Sequence, residues 1–304
     1  MGAAGIIVEY NPLHSGHLRL LEAGRAALGP DTAMVCVMSG NFVQRGDFAL
    51  LRKHARARAA VESGADLVLE LPLPWAVSSA EGFAAGGVQA LAATGVVEHL
   101  LFGSECGDVS ALERVAAALL APPFRDRLRE ELPGAVSFAA ARQRALTGLL
   151  PEEDAALLES PNNILGIEYC KAILAQHTPL TPFALPRLGA AHGGGAGEHA
   201  GTPMASASFL RSLPQPDWEP FVPAWAAELY GKAAAEGLLL DGAKFETAIL
   251  TLLRMQDPEN FAQVRGVSEG LENRLAAAVR EANSMDDLYT RLKTKRYPHA
   301  RLRR

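Results

Sequence analysis

Along the first hundred residues, short β-branched apolar runs alternate with longer amphipathic stretches. Ile6-Ile7-Val8 reads as a buried strand, because a strand covered on both faces of a parallel sheet is apolar without alternation. Asn11-Pro12 ends it, since proline brings no N–H to a ladder. A helix follows, with Leu18, Leu21 and Leu28 on one face and Gly29-Pro30 as its stop. The pattern then repeats, predicting strands at 33–38, 67–71 and 100–102 and helices at about 53–63 and 79–93. Strands separated by helices predict right-handed β-α-β units, hence a Rossmann-like parallel sheet in an α/β fold. Ligands in such sheets sit at the carboxyl ends of the strands. Three polar loops, 9–17, 39–47 and 103–105, emerge at that edge, and their convergence predicts a site.

From 109 to about 176 the pattern is mostly helical, with Ser160-Pro161-Asn162-Asn163 breaking it ahead of a helix at 164–176. Residues 183–185 predict a brief strand leading into Pro186-Arg187-Leu188. The glycine-rich stretch 189–203 reads as a mobile loop, either a lid or surface slack. Ser206-Ala207-Ser208-Phe209-Leu210-Arg211 places two hydroxyls at a helix start with an arginine one turn on. Such a loop holds outer phosphates, or is an ordinary serine N-cap. After Pro214-Gln215-Pro216 the chain predicts helices at 218–240, 244–255, 267–282 and 286–291, so a boundary is expected between a domain at 1–213 and a smaller helical one at 214–304. The last segment is basic: Arg291, Lys293, Lys295, Arg296, Arg301, Arg303 and Arg304, with Tyr297 and His299 among them and no acid after Asp287. It predicts contacts to a phosphate backbone with a ring stacked on a base, or a solvated tail.

Composition changes little in this picture. The 304 residues are 49% hydrophobic, enough for two cores at ~150 residues per domain. A net charge of −5 does not mark a nucleic-acid binder, but the distribution of charge matters more than the sum. Cys36, Cys106 and Cys170 are scattered without Cys-x-x-Cys spacing, which predicts a reduced, cytoplasmic protein. No signal peptide precedes Gly5 and no apolar run nears ~20 residues, so no membrane span is expected.

The candidate chemistry lies at His14-Ser15-Gly16-His17. A helix starting near Ser15 puts both imidazoles at its N-terminus, beside unpaired N–H groups and the positive end of the dipole. There they can donate to phosphate oxygens as charge builds in a transition state. His-x-x-His alone also fits a partial metal site or two surface histidines, although no third ligand follows within a turn.

This stretch resembles the His-x-Gly-His signature of the nucleotidyltransferase superfamily. Further blocks narrow the resemblance to the bacterial tRNA(Met) cytidine acetate ligase family: Met38-Ser39-Gly40-Asn41-Phe42-Val43-Gln44-Arg45-Gly46, Phe102-Gly103-Ser104-Glu105, Pro161-Asn162-Asn163-Ile164-Leu165-Gly166-Ile167-Glu168-Tyr169, Ser268-Glu269-Gly270-Leu271-Glu272-Asn273-Arg274 and Thr294-Lys295-Arg296-Tyr297. They run the length of the chain in the family's order. The resemblance implies activation of acetate with ATP to acetyl-adenylate, then transfer of the acetyl group to the wobble cytidine of elongator tRNA(Met). It implies His14 and His17 as catalytic residues. The ATP site would comprise Ile7, Val8, Glu9, Tyr10, Asn11, Pro12, Leu13, His14, Ser15, Gly16, His17, Leu18, Arg19 and Leu20, with Gly103, Asn162 and Arg187. Ser206, Ser208 and Arg211 would meet the outer phosphates, with Mg2+ on those phosphates and no dedicated metal cage. Asn41, Gln44 and Arg45 are candidates for the acceptor side, and Lys293, Lys295, Arg296 and Tyr297 for tRNA. The family carries a further helical stretch after the last block, so part of a tRNA surface is expected to be missing here. Two rivals share the signature: a small-molecule adenylyltransferase of cofactor biosynthesis, and an RNA-binding protein that keeps ATP only as a ligand.

Overall fold

Every residue of the first strand, β1 (Ala3–Val8), is buried, and the sheet is built outward from it. The computed structural model describes residues 2–135, 137–187, 196–199, 201–294 and 296–304. From β1 the chain runs through α1 (Ser15–Leu28), β2 (Ala33–Ser39), α2 (Lys53–Glu62), β3 (Leu67–Leu71), the single turn α3 (Leu73–Ala76), α4 (Ala80–Ala92) and β4 (Val97–Ser104). It continues through α5 (Val109–Leu120), α6 (Pro122–Glu131), α7 (Phe138–Thr147), α8 (Glu152–Ala156), α9 (Pro161–Gln176) and β5 (Thr181–Pro186). The strand order is β3-β2-β1-β4-β5, all parallel. Side-chain alternation splits β1 between two cores. Ala3 and Ile7 pack with Phe83, Val88 and Leu91 of α4, Leu112 of α5 and Ile167 of α9. Ala4, Ile6 and Val8 pack on the other face with Leu21 of α1 and Ala59 and Ala60 of α2. The chain leaves β1 toward β2 and returns to its other side at β4, so a crevice opens between the carboxyl ends of β1 and β4.

Strand β5 is longer than its apolar triplet predicts. Pro182 and Pro186 weaken the local strand signal, but at a sheet edge a missing N–H is tolerated. Strand β4 reaches Ser104, so Gly103 lies in the strand and not in the following loop. Part of the stretch expected to be a loop pairs as an antiparallel ribbon, β6 (Gly197–His199) with β7 (Thr202–Met204). The central glycines, and everything from 188 to 195, lie outside the described residues. Helix α10 (Ala207–Arg211) follows. The helix expected at 218–240 is a 3-10 segment, Gln215–Phe221, and then α11 (Ala224–Ala235), because Pro220 and Pro223 remove backbone donors.

The compact units are Met1–Gln44 with Ala49–Leu239, and Arg45–Phe48 with Leu240–Arg304. The boundary expected at 213/214 therefore falls inside the first unit. Trp218, Ala226 and Tyr230 bury against Leu51, Ala205 and Leu210 there, and the Tyr230 hydroxyl donates to the Leu13 carbonyl at 3.1 Å.

The second unit holds α12 (Gly242–Arg254), α13 (Pro258–Ala262), α14 (Leu271–Glu281), α15 (Met285–Leu292) and α16 (His299–Arg303). The helix expected from 267 begins only at Leu271, because Glu269 and Gly270 take positive φ values of 58° and 81°. Leu250, Leu271, Val279, Leu288, Leu292 and Tyr297 form its core. Tyr297 is only 5% exposed, and its hydroxyl donates to the Ser268 carbonyl at 2.8 Å. The expectation that its ring stacks on a base is corrected: an amphipathic ring close to an apolar helix pair gains more by burial with its hydroxyl satisfied. Lys293 and Arg296 are exposed, Arg296 pairing with Glu269 at 2.5 Å; Lys295 lies outside the described residues.

Tyr297→Phe is expected to lower the stability of the second unit by about 1 kcal/mol through the lost hydrogen bond. Tyr297→Ala should cost about 3 kcal/mol through the cavity. Urea denaturation followed by circular dichroism checks both; an alanine variant of unchanged stability would return the ring to an RNA-facing role.

Candidate functional site

The segment joining β1 to α1 carries both candidate histidines, and it is held from three directions. Beyond Val8 its carbonyls have no ladder partner. The Arg56 guanidinium, 1% exposed, donates to the Glu9 and Gly40 carbonyls, to Ser39 at 2.9 Å and to Leu51 at 3.2 Å. Burial lowers its pKa to about 10, so it stays cationic at neutral pH. Arg211 Nη1 donates to the Asn11 carbonyl at 2.6 Å, and Tyr230 to that of Leu13. The Asn11 side-chain oxygen accepts from the Leu50 N–H at 2.7 Å, and Glu9 Oε1 from the Gln44 N–H at 2.6 Å. Within this frame Asn11-Pro12 is cis and Tyr10 sits at φ 47°, with its ring buried.

His14 is the N-cap of α1. Its Nδ1 accepts from the Gly16 N–H at 3.1 Å, and His17 Nδ1 accepts from the His14 N–H at 3.3 Å. Both caps consume the δ nitrogens as acceptors, so in each neutral ring the proton sits on Nε2. The rings stack with centroids 3.8 Å apart. A Cβ at position 16 would meet the His14 ring at 3.0 Å, so a side chain there would crowd the imidazole. Burial is the main reason both imidazoles resist protonation: His14 is held well below its ordinary range, and His17 is pushed down to about 3. Coulombic repulsion from Arg187 lowers both further. The result is a pair of uncharged N–H donors.

One cavity collects much of what the sequence singles out. His14, Gly16, His17, Arg19, Leu20, Gly103, Asn162 and Arg187 all line it. It lies at the carboxyl edge where β1, β4 and β5 end. Arg187 follows β5, its N–H donating to the Ser104 carbonyl at 2.8 Å, and a Cβ at Gly103 would meet its Cγ at 3.1 Å. Arg19 Nη2 donates to Thr202 Oγ1 at 2.8 Å, tying α1 to the β6–β7 ribbon. Asn162 stands in the first turn of α9.

Other expected residues are not in the lining. Ile7, Val8 and Leu13 are core residues, and Glu9, Tyr10, Asn11 and Pro12 shape the loop. Ser15 Oγ donates to the Phe221 carbonyl at 2.8 Å, and Leu18 is half-buried outside the cavity. Ser206 caps α10 by accepting from the Phe209 N–H at 3.1 Å, and Ser208 is exposed. On the β2 loop, Asn41 Oδ1 accepts from the Lys53 N–H at 3.0 Å, and Gln44 Nε2 is buried with no hydrogen-bond partner. Arg45 groups with the second unit, apart from Asn41 and Gln44. Sequence reasoning missed Ala23, Leu185, Pro186, Met204 and Ala205, which complete the lining. Helical spacing from Arg19 and Leu20 points to Ala23, and the end of the fifth strand to Leu185 and Pro186. No sequence signal marks Met204 or Ala205. No group of three or more His, Cys, Asp or Glu side chains able to hold a metal occurs among the described residues.

Both imidazoles are expected to remain neutral Nε2–H tautomers from pH 8 to 5 in the free protein. Two-dimensional imidazole NMR checks this, and a titration near 6.5 at both rings would contradict it. Because the folded pKa values lie below the ordinary 6.5, the unfolded chain binds protons first on acidification. The stability contributed by the two buried neutral rings is therefore full above about pH 6.5 and falls from there toward pH 3.

The chain is similar to known proteins along its whole length. The HIGH Nucleotidyl Transferase family profile matches residues 1–304. A curated tRNA(Met) cytidine acetate ligase of Fervidobacterium nodosum is 36% identical over 310 residues, covering 100% of this chain and 72% of the relative. One from Syntrophomonas wolfei is 38% identical over 317 residues, covering 100% and 74%. The crystal structure of Thermotoga maritima TmcAL bound with alpha-thio ATP superposes with a TM-score of 0.87 at 35% identity, covering 100% of this chain and 73% of that one. Its apo form gives 0.88 at 36% identity, covering 100% and 74%.

Proposed function

This chain belongs to the tRNA(Met) cytidine acetate ligase family of the HIGH nucleotidyl transferases, and from that premise we infer how its cavity works. The protein is an ATP-using ligase that acetylates the exocyclic amine of the wobble cytidine of elongator tRNA(Met). The observation that carries the reading is the pair of neutral Nε2–H donors sharing one cavity with Gly103, Asn162 and Arg187 at the switch point of the sheet.

ATP occupies this cavity. The His14 and His17 Nε2–H groups donate to the α-phosphate oxygens, and Arg187 and Arg19 supply positive charge. Gly103 lets the nucleoside approach the β4 backbone. Ser206 and Ser208 follow Met204 and Ala205 in the chain and offer hydroxyls to the outer phosphates. Arg211 serves the loop through the Asn11 carbonyl. Magnesium fits as part of the substrate, carried on the outer phosphates of ATP. An acetate oxygen attacks the α-phosphorus, the bond to the bridging oxygen breaks, and pyrophosphate leaves. Charge builds on the non-bridging oxygens, where preorganised donors in a dry site are most effective. The cytidine N4 lone pair then attacks the acetyl carbon, AMP leaves with both electrons of the C–O bond, and N4 loses a proton. Asn41 and Gln44 are candidates to hold acetate or the cytosine edge, the buried Gln44 amide being the stronger because its Nε2 lacks a partner. Arg45, Lys293 and Arg296 of the second unit are candidates for tRNA contact. No described helix is long and apolar enough to cross a membrane. A tRNA substrate places the protein in the cytoplasm.

The decisive test incubates the chain with labelled acetate, MgATP and either elongator or initiator tRNA(Met). Label in the elongator alone is expected. His14→Ala and His17→Ala should each cut transfer on the order of 10²–10³-fold. Pyrophosphate release that needs no acetate would instead favour a small-molecule adenylyltransferase. Lys293→Ala with Arg296→Ala should weaken tRNA acetylation while leaving acetate-dependent pyrophosphate exchange intact.

A further inference from the structure

The loop after β4 meets the first turn of α9 through one carboxylate. Glu105 Oε1 accepts from the Asn162 N–H at 3.2 Å and from Asn162 Nδ2 at 2.6 Å, and Oε2 accepts from the Asn163 N–H at 2.7 Å. In return Asn163 Oδ1, on a side chain 3% exposed, accepts from the Cys106 N–H at 3.1 Å. Ser104 Oγ accepts from the Gly107 N–H at 2.9 Å, closing the turn behind Glu105. The carboxylate is thus held through both oxygens, and the turn that carries it is tied at the Cys106 and Gly107 N–H groups.

A carboxylate only accepts, whereas a primary amide donates at one end and accepts at the other. The end of Asn162 that meets Glu105 must therefore be its NH2. That leaves Oδ1, on a residue that lines the nucleotide cavity. We propose that Glu105 is a positioning residue: by holding the Asn162 NH2, it makes residue 162 a hydrogen-bond acceptor in the cavity and selects nucleotides that present a donor there. The donor is the 6-amino group of adenine or a ribose hydroxyl. The proposal rests on the ATP reading above.

Capping the N-terminus of α9 needs only the two backbone contacts, to the Asn162 and Asn163 N–H groups. The side-chain contact at 2.6 Å is the shortest of those that Glu105 makes here, and it alone sets the sense of the amide. Glutamine at 105 would keep one accepting oxygen and gain an NH2. A single accepting oxygen cannot serve the Asn162 N–H, the Asn162 NH2 and the Asn163 N–H together, so the amide of Asn162 is no longer held in one sense and can turn its NH2 into the cavity. Inosine triphosphate, whose base carries an accepting 6-oxo group, then becomes the better match.

The test measures dissociation constants of the full chain for MgATP, inosine triphosphate, 2′-deoxy-ATP and 3′-deoxy-ATP by calorimetry, without acetate or tRNA. The unaltered chain is expected to bind one class of analogue about tenfold more weakly than ATP. A weak inosine nucleotide identifies the base amine, and a weak deoxynucleotide a ribose hydroxyl. In Glu105→Gln that ratio should fall toward one, or invert for the inosine nucleotide. Glu105→Asp, still acceptor-only, should keep the ratio even where overall affinity falls. A Glu105→Gln chain that loses affinity for all four nucleotides equally, or loses none, overturns the positioning role. So does an unaltered chain that binds all four alike. Absence of any nucleotide binding to the unaltered chain would remove the ATP reading itself, a distinct outcome.

Discussion

Carbonyl oxygens that leave the sheet after β1 have no ladder partner, and the way they are satisfied fixes the rest of the site. An unmet buried carbonyl costs about 1–3 kcal/mol, so the loop settles where donors exist. Arg56 from α2, Arg211 from α10 and Tyr230 from α11 provide them at Glu9, Asn11 and Leu13. The same frame holds Tyr10 in the left-handed region at φ 47°, a conformation that costs roughly 1–2 kcal/mol for a non-glycine residue. Burial of its ring and the clamped carbonyls on either side offset that cost. His14 then arrives at the start of α1 as the cap.

From that position the electrostatics follow. Histidine is an unusual N-cap, and here its acceptor nitrogen does the work of a serine or aspartate oxygen. An anionic cap would repel a phosphate, whereas a neutral imidazole caps with one nitrogen and donates with the other. Burial suppresses protonation, so the donors are present without the desolvation cost of two adjacent cations. The positive charge of the cavity lies instead on the guanidinium groups of Arg19 and Arg187.

Most of the central fold was legible because its signals are local. Leu67-Val68-Leu69-Glu70-Leu71 marks β3 to the residue, and the preceding proline, the apolar spacing and Gly29 mark α1. Local pattern and structure part where proline or a distant partner decides. Pro220 and Pro223 break what apolar content suggested was one helix, and Trp218 and Tyr230 join the first unit because its surface offers Leu51, Ala205 and Leu210. The basic segment shows the same limit: charge pattern marked Tyr297 as an RNA contact, while the core of the second unit claims its ring.

By itself the sequence determined the alternation of strands and helices, the place of the two histidines at a helix start, and the blocks that tie the chain to its family. Each is a matter of neighbours within a few residues, where backbone geometry and side-chain periodicity are read directly. Only the tertiary structure decided which residues meet in the cavity. Gly103, Asn162 and Arg187 are brought to His14 by sheet order, and the Leu13 carbonyl is met by a hydroxyl 217 residues away. It also decided that the imidazoles stay neutral and that a carboxylate sets the sense of Asn162. Charge state and amide orientation depend on burial and on which atoms face each other across the fold, and no local pattern encodes either.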